Sequence, residues 1–322
     1  MERTLYTEEH KQFRDAFVKF LEAEVVPFHP QWEKDGIVPR AIWEKAGGQG
    51  YLCPWLPEKY GGSDADFYYS AIVSEECARL MNHGFTMGLH SDIVVPYLYH
   101  YGNEEQRERW LPGCASGKII SAVAMTEPGT GSDLAAIRTT AIRDGDHYIV
   151  NGQKTFISNG ILSDVVIVAA KTDPKANPPH AGVSLIVVER GTPGFERGRN
   201  LEKMGMHAQD TAEMSFSDCR VPVANLLGEE GQGFLYLMRQ LQQERIVCAI
   251  AAQAGAAQAV RWTVDYVNQR HAFGKPLGKL QNTRFKLAEC QTQVDIGQVF
   301  VDRLIQAHAN GEFVVKEASE AK

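Results

Sequence analysis

The hydrophobic period of this chain changes twice, near residues 121 and 233, and a fold built from one kind of element cannot accommodate both changes. Before the first change, apolar residues recur at three- and four-residue spacing. Phe13, Phe17, Phe20 and Leu21 form such a stripe after Thr7, a helix N-cap residue followed by the acidic pair Glu8 and Glu9. Pro39 suits the first turn of a helix through Ile42, Trp43 and Ala46, and Gly47 with Gly48 ends it. Asn103 and Gln106 have the spacing of a capping box for a helix through Trp110.

Between the two changes the runs are short and β-branched. His147–Val150 is expected to turn at Asn151-Gly152 and resume as Lys154–Ile157; Asp164–Val168 and Val183–Val188 are further strands, and Ala212–Phe216 alternates. Residues 173–182 carry three prolines and read as a surface loop. After Gly233 the helical period returns, with Gly255 the single glycine and no proline from 234 to 270. A turn at Phe273–Pro276 leads to a second long helix over 280–309. The expected fold is α+β: an N-terminal helical domain (1–120), a middle antiparallel β-barrel or sandwich domain (121–230) and a C-terminal helical-bundle domain (231–322), the last incomplete.

Composition narrows the function. With 44% hydrophobic and 23% charged residues the chain can bury a core, which excludes a disordered chain, and a net charge of -7 argues against a general nucleic-acid binder. No uncharged apolar run reaches the roughly 18 residues of a membrane span. The start, MERTLYTEEHKQF, has neither a basic nor an apolar signal segment and is too acidic for a transit peptide. Six cysteines without a CxxC pair read as reduced packing residues of a cytoplasmic protein. Neither HExxH spacing nor a GxSxG elbow occurs, and no metal site is expected.

Two segments could carry chemistry. In Met125–Asp133, glycines including Gly131 let backbone N–H groups approach a ligand, while Thr126 and Ser132 add hydroxyls. Such a loop could hold a phosphate or a polar ring edge; on spacing alone, a solvent-facing interdomain turn is the plainer reading. The second segment is a stripe of Leu237, Leu241, Glu244, Cys248 and Ala251, which puts a carboxylate on an otherwise apolar helix face. Burial there would raise its pKa and suit a general base; a glutamate paired with a distant arginine is the alternative.

At these segments the chain resembles the acyl-CoA dehydrogenase family, over essentially its whole length. The resemblance is carried by Ala124–Asp133 (AMTEPGTGSD), Asn151–Gly160 (NGQKTFISNG), Pro57–Gly62 (PEKYGG), Glu244-Arg245 and Gln269–Lys275 (QRHAFGK). It implies an FAD enzyme that converts an acyl-CoA thioester to the trans-2-enoyl-CoA, as a homo-oligomer, passing electrons to electron-transfer flavoprotein. It further implies that Val123, Met125, Thr126, Gly131, Ser132, Phe156, Ile157 and Ser158 contact FAD. Arg270, Phe273 and Gln281 would reach the FAD of a neighbouring subunit. Glu244 would be the base, with Ser132, Leu235, Gln242 and Arg245 on the substrate side. Gln-Glu-Arg around Glu244 and Phe-Ile-Ser at 156–158 look most like the long-chain branch, although that branch can carry a tyrosine where Leu235 stands. Family members continue past the segment matching Phe313–Lys322, so the chain is expected to be C-terminally truncated, to hold FAD poorly and to expose helix surface. A non-catalytic remnant that keeps acyl-CoA or subunit contacts, and an oxidase that passes electrons to oxygen, are the alternatives.

Overall fold

A computed structural model of the chain describes residues 3–80 and 84–322. Its helices are α1 (Glu8–Glu24), α2 (His29–Asp35), α3 (Arg40–Gly48), α4 (Phe67–Arg79), α5 (Val95–Tyr101), α6 (Glu104–Ala115), α7 (Gly233–Gln269), α8 (Gln281–Ala309) and α9 (Val315–Ala321). The strands are β1 (Ser121–Ala124), β2 (Thr140–Asp144), β3 (His147–Ser158), β4 (Val165–Lys171), β5 (Val183–Glu189), β6 (Phe195–Asn200), β7 (Thr211–Pro222), β8 (Leu226–Leu227), β9 (His271–Ala272) and β10 (Lys275–Pro276). Helices, then strands, then helices is the order expected, and the Asn103–Gln106 capping box is formed at the start of α6. No described helix is long and apolar enough to cross a membrane.

The chain forms two compact units. The first, a helical unit, comprises Met1–Ala23, Asp66–Asn82 and Gln242–Lys322. Its core joins Ala71 of α4, Ile246, Ala249 and Ile250 of α7, Val301 and Ile305 of α8 and Ala318 of α9. Arg3 adds a polar tie: its guanidinium donates to Glu75 at 2.6 Å and to Asp302 at 2.6 Å, so one planar fork joins α4 to α8. Arg14 and the Tyr6 hydroxyl donate to the same Glu75 carboxylate, at 2.7 and 3.1 Å.

The second unit comprises Glu24–Ala65 and His83–Leu241 and holds the main sheet, in the order β6-β7-β3-β2-β4-β5-β8. Neighbours pair antiparallel, except that β1 and β2 each join β4 in parallel. Strands β4 and β5 are apolar on both faces. Val165, Ile167, Ala169, Val183, Leu185 and Val187 pack with Tyr97 and Leu98 of α5 and Trp110 and Leu111 of α6. The alternate residues Val166, Val168, Ala170, Ile186 and Val188 share a second core with Tyr148, Val150, Phe195, Met214 and Phe216. Those partners belong to other strands of the same sheet, so the sheet curls over its own apolar face, as in a barrel.

The expected turn at Asn151-Gly152 does not form. These residues sit inside one continuous strand, β3, at a register shift against β7 between Val150 and Gly152. Asn151 trades side-chain bonds with Asp218 (Nδ2 to Oδ1, 3.1 Å; Asp218 N–H to Oδ1, 2.8 Å), which satisfies the irregularity. A tight turn instead lies at Gly145-Asp146, between the paired Asp144 and His147, with Gly145 in the left-handed conformation. None of the six cysteines is in a disulfide; Cys53, Cys114 and Cys219 pack inside, but Cys248 and Cys290 are exposed.

A π-helical turn at Leu89–Val94 precedes α5 and buries His90. The Ser121 main-chain N–H can only donate, and it lies 3.2 Å from Nδ1. The Cys114 carbonyl can only accept, and it lies 3.1 Å from Nε2. His90 is therefore the neutral tautomer protonated on Nε2, and burial pushes its pKa down to about 4 from 6.5. Between these values the unfolded chain binds the proton and the folded one does not, so stability falls as pH drops from about 6.5 to about 4. A shift of that size is worth roughly 3 kcal/mol. NMR of the ring should show His90 still neutral at about pH 5, where urea titrations should register the loss; a ring that titrates at its ordinary value would refute the assignment.

Candidate functional site

The motif loop after β1 runs beside the end of β3. The Thr155 N–H donates to the Thr126 carbonyl at 3.0 Å, and Asn159 Nδ2 donates to the Ser121 carbonyl at 3.2 Å. The two segments thus run in opposite directions, and Thr126 and Ser158 lie on neighbouring stretches roughly 10 Å apart at about 3.3 Å per residue. Val123, Met125, Thr126 and Ser158 are half-buried along this seam. Ile157 is buried in the sheet core, so it offers backbone rather than side chain. Gly131 and Ser132 are exposed.

Phe156 departs from its neighbours. The β3–β7 register slips between Lys154 and Ile157, and Phe156 takes a left-handed backbone, with φ of 60°. Its ring is 68% exposed while Lys154 and Ile157 are buried. A bulge has turned an aromatic ring outward beside the Thr126 loop, a conformation that costs a bulky residue about 1 kcal/mol or more.

Beneath the seam lies an ion pair that the sequence reading did not assign a role. Lys154 Nζ donates to Glu127 Oε1 at 2.9 Å and to the Met125 carbonyl at 2.8 Å. Glu127 also accepts the main-chain N–H groups of Arg138 at 2.7 Å and Thr139 at 3.0 Å. Burial pushes the Lys154 ammonium down to about 8, with Glu127 opposing the fall. Burial alone would raise the Glu127 carboxyl; bonds from Thr139 and Lys154 outweigh it and hold the group below the usual carboxylate range. The signal that could have found the pair is strand parity. Alternation from the buried Tyr148 and Val150 carries Lys154 to the same face, because the extra residue at the first register shift lies on β7 and leaves the parity of β3 unbroken. On the outer face of β3, β6 and β7 a cavity of about 230 Å³ opens between Pro128, Gln153, Thr155, Gly198, Glu213 and Ser215.

The glycines of the loop are not forced by packing: a side chain added at Gly129 or Gly131 would meet no protein atom within 4 Å. Their bare backbone is open to a ligand. With the Thr126 and Ser158 hydroxyls and the outward Phe156 ring, the donor set fits a flat heterocycle with a polar edge. Among the described residues no cluster of metal ligands occurs.

In the helical unit, Glu244 is half-buried and Cys248, one turn on, is exposed. Four residues apart on one helix, Glu244 and Cys248 face the same side of α7. The core side of α7 carries Ile246, Ala249 and Ile250, roughly opposite Glu244 at about 100° per residue. The stripe holding Glu244 is therefore not the one that packs this unit, because the apolar residues two and five positions on take that role. Arg245 is half-buried. The Gln242 amide is occupied: Nε2 donates to His308 Nδ1 at 3.2 Å and to the Glu312 carbonyl at 3.1 Å, and Oε1 accepts the Val314 N–H at 2.8 Å. It ties α7 to the α8–α9 connection. Leu235, in the other unit, is exposed near the start of α7.

Arg270 lies between α7 and β9, Phe273 at the tip of the β9–β10 hairpin and Gln281 at the first residue of α8, and all three are exposed. Phe273 and Gly274 have φ of 54° and 73°, the pattern of a two-residue type I′ turn. The Phe273 ring is 90% exposed at its tip.

Comparison with known proteins gives one consistent result. Family models for the N-terminal, middle and C-terminal domains of acyl-CoA dehydrogenase match residues 7–118, 122–219 and 231–322. Long-chain specific acyl-CoA dehydrogenase of Sus scrofa mitochondria is 48% identical over 320 residues, covering 99% of this chain and 74% of the relative. An acyl-CoA dehydrogenase structure from Geobacillus kaustophilus matches with a TM-score of 0.98 and 57% identity, covering 100% of this chain and 84% of that one. A glutaryl-CoA dehydrogenase from Mycobacterium smegmatis, solved in complex with FADH2, matches with a TM-score of 0.90 and 27% identity, covering 98% of this chain and 80% of that one.

Both left-handed phenylalanines are dispensable for folding on this geometry. Phe156→Gly and Phe273→Gly relieve backbone strain while loosening the unfolded chain, so urea unfolding should stay within about 1 kcal/mol of the parent. A loss of about 3 kcal/mol or more, the cost of truncating a core phenylalanine, would show that the rings hold the fold.

Proposed function

We propose the following reaction for this chain, which belongs to the acyl-CoA dehydrogenase family: FAD-dependent α,β-dehydrogenation of an acyl-CoA thioester to the trans-2-enoyl-CoA. The observation that carries this reading is the seam of Thr126 and Ser158 with the outward Phe156 ring beside it. FAD, when bound, supplies the acceptor for the β-hydride. The chain's own residues do the rest. Thr126, Ser158 and the main chain of Val123, Met125, Gly131 and Ile157 hold the polar edge of the flavin, and Phe156 covers one face. Glu244 takes the α-proton. Ser132, Leu235 and Arg245 line the substrate side, while Gln242 acts by fixing the helix that carries Glu244, since its amide is already engaged.

The same reading covers partners. Trp262, Tyr266, Phe285, Ile296 and Val299 are exposed on α7 and α8, an apolar surface suited to a second copy of the chain. In the homo-oligomer, Arg270, Phe273 and Gln281 reach a neighbour's FAD. Electrons leave to electron-transfer flavoprotein, the substrate is a long-chain acyl-CoA, the compartment is the cytoplasm, and residues 1–120, 121–230 and 231–322 serve as the three domains.

An anaerobic titration of the flavin-loaded protein with acyl-CoAs of graded length tests the core of this reading. Bleaching of the flavin band supports it, and a chain that binds acyl-CoA without bleaching is a non-catalytic remnant. Peroxide formed in air would redirect the reading to an oxidase. Glu244→Gln keeps size and removes proton acceptance, so flavin should still bind while its reduction by substrate falls by at least about 10²–10⁴-fold. Reduction at the parent rate would remove Glu244 as the base. Thr126→Val should weaken FAD retention by about 1 kcal/mol, the net worth of one hydrogen bond.

A further inference from the structure

The buried pair of Lys154 and Glu127 lies under the seam just described, and its contacts are distributed in a particular way. Lys154 holds the residues on either side of Thr126: the Met125 carbonyl before it and the Glu127 carboxylate after it. The Thr126 carbonyl is itself taken by the N–H of Thr155, the residue after Lys154. Glu127 then gathers the N–H groups of Arg138 and Thr139, closing the loop from 127 to 139 onto its own start. On the strand side, Lys154 forms with Met214 the last regular pair before the slip that turns Phe156 outward. One side chain therefore fixes the loop that presents Thr126 and anchors the strand from which Phe156 departs.

We propose that Lys154 and Glu127 are positioning residues for the cofactor site: the pair clamps the Thr126 loop to β3, so that Thr126 and Phe156 are held in one fixed relation before the flavin arrives. The proposal rests on the FAD reading above. The physical argument is one of alternatives. A buried ion pair gains little over an apolar pair of the same volume, because both charges must be desolvated. What an apolar pair cannot do is accept two main-chain N–H groups and donate to a carbonyl at once. An apolar pair could fill the same volume, but it could not hold the loop in this geometry. A displacement of about 1 Å in a site group can cost about 10²-fold in function.

The test is a double-mutant cycle on FAD affinity, read by flavin fluorescence and by the visible band of the bound flavin. Lys154→Met should leave a cooperative unfolding transition, raise the FAD Kd at least tenfold and shift the flavin band. Thr126→Val should raise Kd about fivefold in the parent, the equivalent of one hydrogen bond. In the Lys154→Met background the same change should have less than a twofold effect, because Thr126 is no longer held. A lesion that only weakened folding would leave the two effects multiplicative. If Lys154→Met does not fold, Glu127→Gln/Lys154→Met removes both charges together and the cycle is run on that protein. An unchanged Kd, or fivefold losses in both backgrounds, overturns the clamp alone; a parent chain that binds no FAD overturns the clamp and the FAD reading together.

Discussion

Strands β4 and β5 are apolar on both faces, and that places the rest of the sheet-bearing unit. A strand with one polar face could lie at a surface. These two must be covered twice, by α5 and α6 on one side and by the other strands of their own sheet on the second. The second requirement makes the sheet curl. Curling in turn needs strands that bend, and β3 and β7 bend where their register slips, at Asn151 and again between Lys154 and Ile157. The irregular stretch of β3 that carries Phe156 is thus part of how the sheet closes over its core, as well as part of the proposed cofactor site.

Folding and the proposed cofactor contact make opposed demands on that stretch. Burial favours an inward Phe156; the bulge holds it outward on a backbone that phenylalanine seldom adopts. The structure around it absorbs the cost with neighbouring anchors: Lys154 fully buried and doubly bonded, and Asn159, which donates to the Ser121 carbonyl and accepts from Thr86. Phe273 repeats the pattern on a smaller scale. Its hairpin keeps the positive φ because Gly274 and the paired Ala272 and Lys275 close the turn around it.

Much of this was legible in the sequence, for a physical reason. Helix starts are local events, so the Asn103 and Gln106 side chains announce α6 unaided. Strands buried on both faces are equally plain, through runs such as Val-Val-Ile-Val in β4 and Leu-Ile-Val-Val in β5. What local pattern misses is what neighbours impose. Helix α2 is short, preceded by Pro27 and entered at Pro30, and only Trp32 of it is buried. Strand β6, Phe-Glu-Arg-Gly-Arg-Asn, has one buried residue and exists because β7 offers it a ladder. Asn151-Gly152 has hairpin chemistry, yet the pairing of β3 with β7 continues past it, and long-range pairing prevails. The candidate residues were legible through a motif; that Gln242 is occupied by the α8–α9 connection was not, since its partners are more than sixty positions away.

Glu244 shows the same separation of roles within one helix. Were it on the side of α7 that carries Ile246, Ala249 and Ile250, its charge would be desolvated by the helical unit's own core, and folding would be penalised whenever it ionised. On the opposite side it shares its surface with Cys248, which is exposed. The helix packs through one stripe and carries its carboxylate on the other, which keeps that charge out of the core that folds the unit.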